Sequence, residues 1–356
     1  MKIYSIPNIK AYIPDAILNS IGSFLLHLID NDNANKFVIN NISKNMNKKD
    51  FIIYFDNVSK NLPIKLVSFE LLIKYNVYYF IKNRVKKKKI KLYMTKLTVQ
   101  SLWVGDRLSR MEYYSIKSFL NLGYTYHLYT YNKVKNVPKG TTIKDASKIM
   151  PRKEVFDLKS TFLPFSDIWR YKMLYENGGY WVDLDMIAIK RFDFKEPFVF
   201  SSERTIQKGA YASKKKYVAN IGVLKAPPKS QFYKEAYEKC MEHNKTQKNE
   251  DKLKYMKMLK GLIKTYKYEK YVKTPKYFCN LDWWYSKEAF MPIKKYPDKY
   301  GVKAPTLRSM FNGPYTVHFW RDRVTKKYGL SLDEKYHPDS LWELMIQYID
   351  MYETQK

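Results

Sequence analysis

The fold is decided by residues 164–190, which read PFSDIWRYKMLYENGGYWVDLDMIAIK. Apolar residues recur at near-helical spacing in the first half, with Ser166 as the expected N-cap and Asp167 in the first turn, where the helix dipole favours a carboxylate. Residues 177–179, Asn-Gly-Gly, supply the positive-φ conformation with which helices commonly end. Residues 180–184 are rich in aromatic and branched side chains and predict a strand. Helix, turn and strand in direct succession are typical of an α/β fold.

Two acids, Asp183 and Asp185, stand at the end of this predicted strand. Ligands of α/β sheets bind outside the carboxyl ends of the strands, so we expect the pair at the mouth of a cleft. Carboxylates bind Mg²⁺ together with substrate phosphates, and the pair therefore suits a divalent cation held against a diphosphate. We expect the two acids to have different roles. The competing interpretation is a pair of solvated turn residues, and the neighbouring motifs favour the site.

The rest of the chain alternates predicted strands and helices, as a mostly parallel sheet requires. A Lys- and Tyr-rich insert between residues 240 and 276 predicts further helices, which either select an acceptor or form a plain amphipathic surface. The Gly-rich loops of P-loop and dinucleotide-binding folds are missing from the sequence, which fits phosphate binding through a metal. Strands are predicted over residues 97–104, 126–131, 198–201 and 219–224, and helices over residues 109–120 and 339–352.

Two longer patterns surround the acid pair: Ser-Asp-x-x-Arg-Tyr at residues 166–171 and Leu-Tyr-Glu-x-Gly-Gly-Tyr-Trp-x-Asp-x-Asp at residues 174–185. They resemble the sugar-binding region with the DXD motif in glycosyltransferase family 32 and in the related sugar-transferring domains of large bacterial toxins. TVQSLWVGDRL at residues 98–108 is similar to the family's opening strand, and YTVHFWR at residues 315–321 to its closing strand. The resemblance covers about residues 94–323. It implies a GT-A-type, mostly parallel nucleotide-binding sheet flanked by helices.

The resemblance implies roles for the central residues, of which Arg170, Asp183 and Asp185 are the predicted catalytic ones. Asp167 would accept hydrogen bonds from hydroxyls of the donor sugar, and Arg170 would reach the sugar or the diphosphate. A helix-surface ion pair between these two neighbours is the competing interpretation. Asp183 would contact ribose and sugar hydroxyls. Asp185 would bind a divalent cation, Mn²⁺ or Mg²⁺.

Five further residues are implied by the resemblance to lie around the donor. Gln100 and Trp103 match positions that line the nucleotide pocket, where Trp103 can stack on the base, although a core tryptophan is an equal alternative. Asn220 would face the donor sugar. His318 would bind the metal near the diphosphate, against the alternative of a histidine satisfied within the core. Trp320 would cover the donor.

These implied roles predict a retaining, metal-dependent glycosyltransferase. It would move a hexose from a UDP- or GDP-linked donor to a hydroxyl of a glycan, a protein or another acceptor. A catalytically inactive glycan-binding relative is an alternative, but such a protein would not need Asp167, Arg170 and both acids intact.

The net charge of +31 keeps a second alternative open, a basic protein that binds nucleic acid or an anionic surface. Lys, Asn, Ile and Tyr are abundant together, a bias expected from an AT-rich genome, so much of the charge is attributable to solvated surface lysine. The sequence shows no RNA-binding signature and no zinc finger. We therefore do not expect nucleic acid as a partner.

The cysteine content and the N-terminal sequence predict a cytoplasmic location. Two cysteines cannot build a disulfide framework, and residues 1–16 lack the apolar core of a signal peptide. Residues 17–29 are interrupted by polar side chains and are shorter than the roughly 20 apolar residues of a membrane span. No integral membrane segment is expected, while peripheral contact with a membrane stays open.

We predict three parts: a helical, basic extension over residues 1–93, a GT-A domain over residues 94–325, and a closing helical part over residues 326–356. The extension ends in a basic run at residues 82–91. It is interpreted as an accessory domain that binds an acceptor or partner, as a segment that docks on an acidic membrane, or as an upstream extension with little function. The third interpretation makes Met94 a natural start.

Overall fold

The computed structural model describes residues 97–157, 161–206, 208, 216–246, 253–292, 296–311 and 313–351. The chain divides into two units, and the described residues up to Asp350 belong to the unit formed by residues 96–350. The predicted extension over residues 1–93, with its three interpretations and the possible start at Met94, lies outside the described residues. Within the described part, no helix has the length and apolar character needed to cross a membrane.

A six-stranded sheet forms the centre of this unit. Its spatial order is β3-β2-β1-β4-β7-β6, and β3, β2, β1 and β4 run parallel while β7 is antiparallel to both neighbours. A separate antiparallel pair joins β5 and β8. The predicted α/β class with a mostly parallel sheet is confirmed. The strands are β1 Thr98–Trp103, β2 Thr125–Thr130, β3 Thr142–Asp145, β4 Gly179–Val182, β5 Met186–Ala188, β6 Val199–Arg204, β7 Tyr217–Ala226 and β8 Thr316–His318.

Helices cover the sheet on both sides. The first begins as predicted, because the Ser109 side chain accepts a hydrogen bond from the Met111 N–H and Glu112 closes a capping box. The last packs on the first through Arg110, whose guanidinium donates to both carboxylate oxygens of Glu343. The helices are α1 Arg110–Asn121, α2 Leu163–Asn177, α3 Gln231–Thr246, α4 Leu253–Thr265, α5 Pro275–Phe278, α6 Leu307–Phe311 and α7 Leu341–Met351, and a short π-helix covers Arg323–Lys327.

Helix α2 begins earlier than the sequence predicted. Its N-cap is Phe162, without a side-chain hydrogen bond, and Pro164 lies in its first turn. Proline suits this position because its fixed φ is helical and its missing N–H would have no partner there. The prediction of Ser166 as the N-cap is therefore wrong, and Asp167 lies beyond the first turn. The Ser166 hydroxyl instead accepts from Nη2 of Arg170 at 3.3 Å.

Two glycines join α2 to β4, as predicted. Gly178 caps the helix with φ of 62°, and its N–H donates to the Leu174 carbonyl at 3.0 Å. A Cβ on Gly178 would lie 2.4 Å from the backbone nitrogen of Pro228, so glycine is required by space as well as by conformation. The chain enters β4 directly at Gly179. The short connection places the acid pair at the carboxyl end of β4.

Strand β4 is buried on both faces. The Trp181 side chain packs in a core with α2 and α3, while Tyr180 and Val182 pack in a second core on the opposite face of the sheet. Alternation of side chains along a strand produces this division. Both cysteines are free and buried, Cys240 in the first core and Cys279 in the second.

Candidate active site

A cleft of about 610 Å³ opens at the carboxyl ends of β1 and β4. Four segments line it. Two are residues 102–104 at the end of β1, and residues 161–163, 166 and 170 at and just before the N-terminal part of α2. The others are residues 181 and 183–185 around the end of β4, and residues 318–326 from the end of β8 onward, apart from Phe319 and Val324. Parallel strands bring their carboxyl ends to one edge of the sheet, which is why segments distant in sequence meet here.

Asp183, Asp185 and His318 form a cluster at this edge. One ligand atom from each side chain lies within 4.8 Å of the other two. The acids occupy the turn between β4 and β5, and β5 pairs with β8 in a register that sets Met186 opposite His318. The pairing therefore brings together two side chains, Asp185 and His318, that are 133 positions apart.

Asp185 is fixed by the segment that follows β8. Its Oδ2 lies 3.1 Å from Nε2 of His318 and accepts the Arg321 N–H at 2.8 Å, while its carbonyl accepts the Phe319 N–H at 2.9 Å. Burial alone would raise the pKa of Asp185, but the His318 charge and these hydrogen bonds outweigh burial and lower it. Burial would likewise lower the pKa of His318, and Asp185 raises it well above its usual value.

The cluster fits a divalent cation in its chemistry. Two carboxylates and one imidazole nitrogen are ligands that suit Mn²⁺, and carboxylate oxygens suit Mg²⁺. The hydrogen bonds described for Asp183 are made by Oδ1 and those for Asp185 by Oδ2, so each carboxylate keeps a second oxygen for a cation. A cation on Nε2 would compete with the proton that pairs His318 with Asp185.

Arg170 lies against the acid pair from the side of α2. Its Nη2 is 3.3 Å from Oδ1 of Asp167 and 3.4 Å from Oδ1 of Asp183, and its Nη1 donates to the Ile221 carbonyl at 3.0 Å. The guanidinium also lies over the Trp181 ring, 4.6 Å from its centre. Nε of Arg170 is buried and has no hydrogen-bond partner among the described residues. The Nε–H is therefore an unpaired buried donor.

Burial also acts on the two carboxylates that contact Arg170. It raises the pKa of Asp167 to about 7, against the opposing attraction of Arg170. Burial raises the pKa of Asp183 as well, with Arg170 again opposing. Trp181 supports Asp183 directly, since its indole N–H donates to Oδ1 at 2.8 Å.

Trp320 covers His318 in a strained conformation. Its ring stacks on the imidazole with 3.9 Å between ring centres, and its indole N–H donates to the Leu281 carbonyl at 2.8 Å. The backbone φ of Trp320 is 56°, a region that bulky residues rarely adopt. These two contacts hold the strained residue over the metal-binding histidine candidate.

Six of the nine residues predicted for the site line the cleft, and three do not. Asp167 is buried behind Arg170 and contacts that guanidinium. Gln100 uses its amide within the protein, donating to the Gly178 carbonyl at 2.8 Å and accepting from the Tyr129 hydroxyl at 3.2 Å. The donor-binding roles of Asp167 and Gln100 stay predictions. The six residues that line the cleft are Trp103, Arg170, Asp183, Asp185, His318 and Trp320.

Asn220, the third residue outside the cleft, is buried on β7. Its Nδ2 donates to the Cys279 sulfur at 3.3 Å and lies 3.4 Å from Oε2 of Glu203. Its Oδ1 accepts from the Ser201 hydroxyl. The contact of Asn220 with the donor sugar stays a prediction. In the structure, its side-chain amide makes these hydrogen bonds to protein groups.

Several residues that line the cleft were not predicted from the sequence. Arg323 and Lys326 face the cleft from the π-helix, two and five residues beyond the motif at residues 315–321. Phe162 and Leu163 form an apolar rim and are 39% and 37% exposed. Arg323 and Lys326 could have been predicted from the sequence, because basic residues directly follow the closing strand.

The central part of the chain matches a known protein family. Residues 109–206 match the family described as the glycosyltransferase sugar-binding region containing the DXD motif. No curated protein matches the chain. Among solved structures, the chain is similar to the PaToxG glycosyltransferase, with a TM-score of 0.36 and 12% identity over 62% of this chain and 78% of that one.

The family match covers α1, α2, Arg170 and both acids of the DXD motif. The protein is an enzyme of the glycosyltransferase class. Residues 109–206 are similar to the sugar-binding region containing the DXD motif.

Proposed function

We propose that the protein transfers a hexose from a UDP- or GDP-linked donor to a hydroxyl of a glycan or protein acceptor. The reaction retains the configuration at the anomeric carbon and depends on Mn²⁺ or Mg²⁺. We propose a GT-A-type domain over residues 94–325. The observation that carries the proposal is the cluster of Asp183, Asp185 and His318 within 4.8 Å, with Arg170 in contact with Asp183.

The two acids have different surroundings, which supports different tasks. Asp185 and His318 face each other and would hold the cation together. Asp183 is held on Oδ1 by Trp181 and Arg170, and its second oxygen can accept hydroxyl groups of the donor. A bound divalent cation supplies Lewis-acid stabilisation of the negative charge on the diphosphate.

Arg170 contributes a preformed positive charge beside the leaving group. The side chain is buried, so its attraction for a phosphate oxygen is weakened less by water than that of a surface arginine. Four protein contacts hold the guanidinium before any ligand arrives, and such preorganisation favours the transition state. Arg170 would therefore stabilise the departing diphosphate.

Transfer would proceed by attack on the face from which the diphosphate leaves. The bond between the anomeric carbon and the phosphate oxygen breaks, and a bond from the acceptor oxygen to that carbon forms. The acceptor proton passes to the departing phosphate oxygen. This route differs from retaining glycosidases, in which a carboxylate forms a covalent intermediate. A product with inverted configuration would contradict it.

The nucleoside end of the donor would lie toward the end of β1. Trp103 lines the cleft there, and Val104, Phe162 and Leu163 add apolar surface. Aromatic faces bind bases by stacking, with little preference among them. Arg323 and Lys326 also line the cleft and favour an anionic ligand.

The test is donor turnover across a panel of UDP- and GDP-hexoses with Mn²⁺. Wild type is compared with Asp185→Ala and, as a control, with Glu238→Ala, which removes an exposed acid on α3. We expect one donor to be consumed by wild type and the control, and no consumption by Asp185→Ala or with a chelator. NMR of the product reports the anomeric configuration. Turnover by Asp185→Ala at the wild-type rate would refute the proposal.

A further inference from the structure

Cys279 contacts the imidazole of His318 on the side away from Asp185. Its sulfur lies 3.7 Å from Nδ1 of His318, within reach of a hydrogen bond to sulfur, and 3.3 Å from Nδ2 of Asn220. All three side chains are buried. The imidazole therefore has a carboxylate at Nε2 and a thiol sulfur at Nδ1.

The orientation of Asn220 makes the sulfur an acceptor. Oδ1 of Asn220 accepts from the Ser201 hydroxyl and lies 3.4 Å from the Gly222 N–H, while its amino group faces Oε2 of Glu203 and the sulfur. Reversing the amide would set its oxygen against the Glu203 carboxylate and the sulfur, and would remove both donors. The amide is therefore fixed as a donor to Cys279.

The imidazole ring is confined on its remaining sides. Trp320 stacks on one face at 3.9 Å. Cε1 of His318 lies 3.6 Å from the position that a Cβ on Gly222 would occupy. Turning the ring over would replace both nitrogens by carbons at the positions facing Asp185 and Cys279, and would break both polar contacts.

A neutral imidazole carries one N–H, and a metal on one nitrogen requires that proton on the other. The cleft side of His318 is Nε2, so a bound cation requires the proton on Nδ1, which faces Cys279. We infer that Cys279 is a positioning residue for the proposed metal site, whose sulfur accepts the Nδ1–H of His318 and presents Nε2 to the cation. The inference rests on the proposed function.

The usual partner of a metal-binding histidine is a carboxylate, a carbonyl or water, and its removal typically lowers metal affinity about 10- to 100-fold. Sulfur is a weaker acceptor, and here Asn220 holds it in place. The contacts from Glu203 through Asn220 and Cys279 to His318 extend the metal site to residues of β6 and β7. These residues make no contribution to the lining of the cleft.

The experiment measures binding of Mn²⁺ alone, from the electron paramagnetic resonance signal of the free ion. We expect Cys279→Ala to bind Mn²⁺ about 10-fold more weakly or worse, and Cys279→Ser to keep most of the affinity because its hydroxyl also accepts a hydrogen bond. A packing role alone predicts the reverse order, since serine adds a polar group to a buried position and alanine does not.

Cys240→Ala is the matched control, because it removes the other buried free cysteine, which lies in the core on the opposite face of the sheet from Cys279. It should leave Mn²⁺ affinity unchanged. Cys279→Val keeps the apolar volume if the alanine variant does not fold, and it should also bind Mn²⁺ weakly. Circular dichroism checks the folding of each variant.

Two results would overturn the inference while leaving the proposed metal site intact. One is equal Mn²⁺ affinity in wild type, Cys279→Ala and Cys279→Val, with binding lost in His318→Ala. The other is a sulfur-to-cobalt charge-transfer band in the Co²⁺-loaded wild type that Cys279→Ser lacks, which would make the sulfur a direct ligand. Failure of wild type to bind Mn²⁺ would instead overturn the proposed metal dependence, and the inference with it.

Discussion

Arg170 and Asp183 form an ion pair in the floor of the cleft, with 3.4 Å between Nη2 and Oδ1 and side chains that are 3% and 24% exposed. The pair links α2 to the turn after β4. Gly178 and Gly179, both with positive φ, join that helix directly to that strand. Burial of the arginine makes its contacts strongly dependent on geometry.

Arg170→Lys should lower kcat about 100-fold while changing the donor KM much less. Lysine keeps the charge but loses the planar fork, so it cannot contact Asp167, Asp183 and the Ile221 carbonyl together. Steady-state kinetics on the donor found by the panel measures both constants. Arg191→Lys is the control, since Arg191 contacts carbonyls outside the cleft. Unchanged kcat in Arg170→Lys would contradict the proposed role.

Asp167→Asn should change the pH dependence of stability. Burial raises the pKa of Asp167 from 3.8 to about 7, against the attraction of Arg170. A carboxyl group with a raised folded-state pKa makes wild type lose stability as the pH rises through this window. Asparagine cannot ionise, so the free energy of unfolding of the variant should rise relative to that of wild type by about 1.4 kcal/mol for each pH unit. Urea unfolding of both proteins at about pH 5, 6 and 7 measures how this difference in unfolding free energy changes with pH. A difference that stays constant with pH would refute the prediction.

Gly178→Ala should destabilise the protein by about 2 kcal/mol or more. The residue has φ of 62°, and its Cβ would meet backbone atoms of Pro227 and Pro228. Gly261→Ala is the matched control in α4, where a Cβ has open space and alanine should stabilise by up to about 1 kcal/mol. Denaturant unfolding compares the two. Equal effects would show that the helix cap does not require glycine.

Mn²⁺ should raise the unfolding temperature of wild type but not that of Asp185→Asn. A ligand at 100 times its Kd stabilises the folded state by about 2.7 kcal/mol, which corresponds to several degrees in a domain of this size. Differential scanning calorimetry with and without a chelator measures the shift. The same shift in both proteins would show that the metal binds elsewhere.

Trp103→Ala should raise the donor KM about 10-fold through loss of base stacking, and Trp103→Phe should restore most of it. Trp103 lines the cleft, and the Arg321 guanidinium lies 5.4 Å from its ring centre. Donor titrations measure KM, and thermal unfolding of the same variants is the control for packing. A loss of stability without a change in KM would favour the core interpretation.

The sequence anticipated the elements around the acid pair more accurately than the contacts of the individual side chains. The start of α1 at Ser109 and the glycine end of α2 depend on adjacent residues, and both were predicted. The start of α2 was not, because Pro164 permits a helix to begin without a side-chain cap. Asn220 was placed on the correct strand, yet its amide faces Cys279 rather than the cleft.

The local order of helix, glycine turn, strand and acid pair at residues 164–185 follows from the residues themselves, because backbone preferences act between neighbours in the chain. The contact of Asp185 with His318 and the contact of Cys279 with the same histidine arise from the tertiary fold. The first contact depends on the register of β5 against β8 across 133 positions, and the second on the packing of residues 39 positions apart. Such distances are set by long-range strand pairing and core packing, which no local pattern specifies.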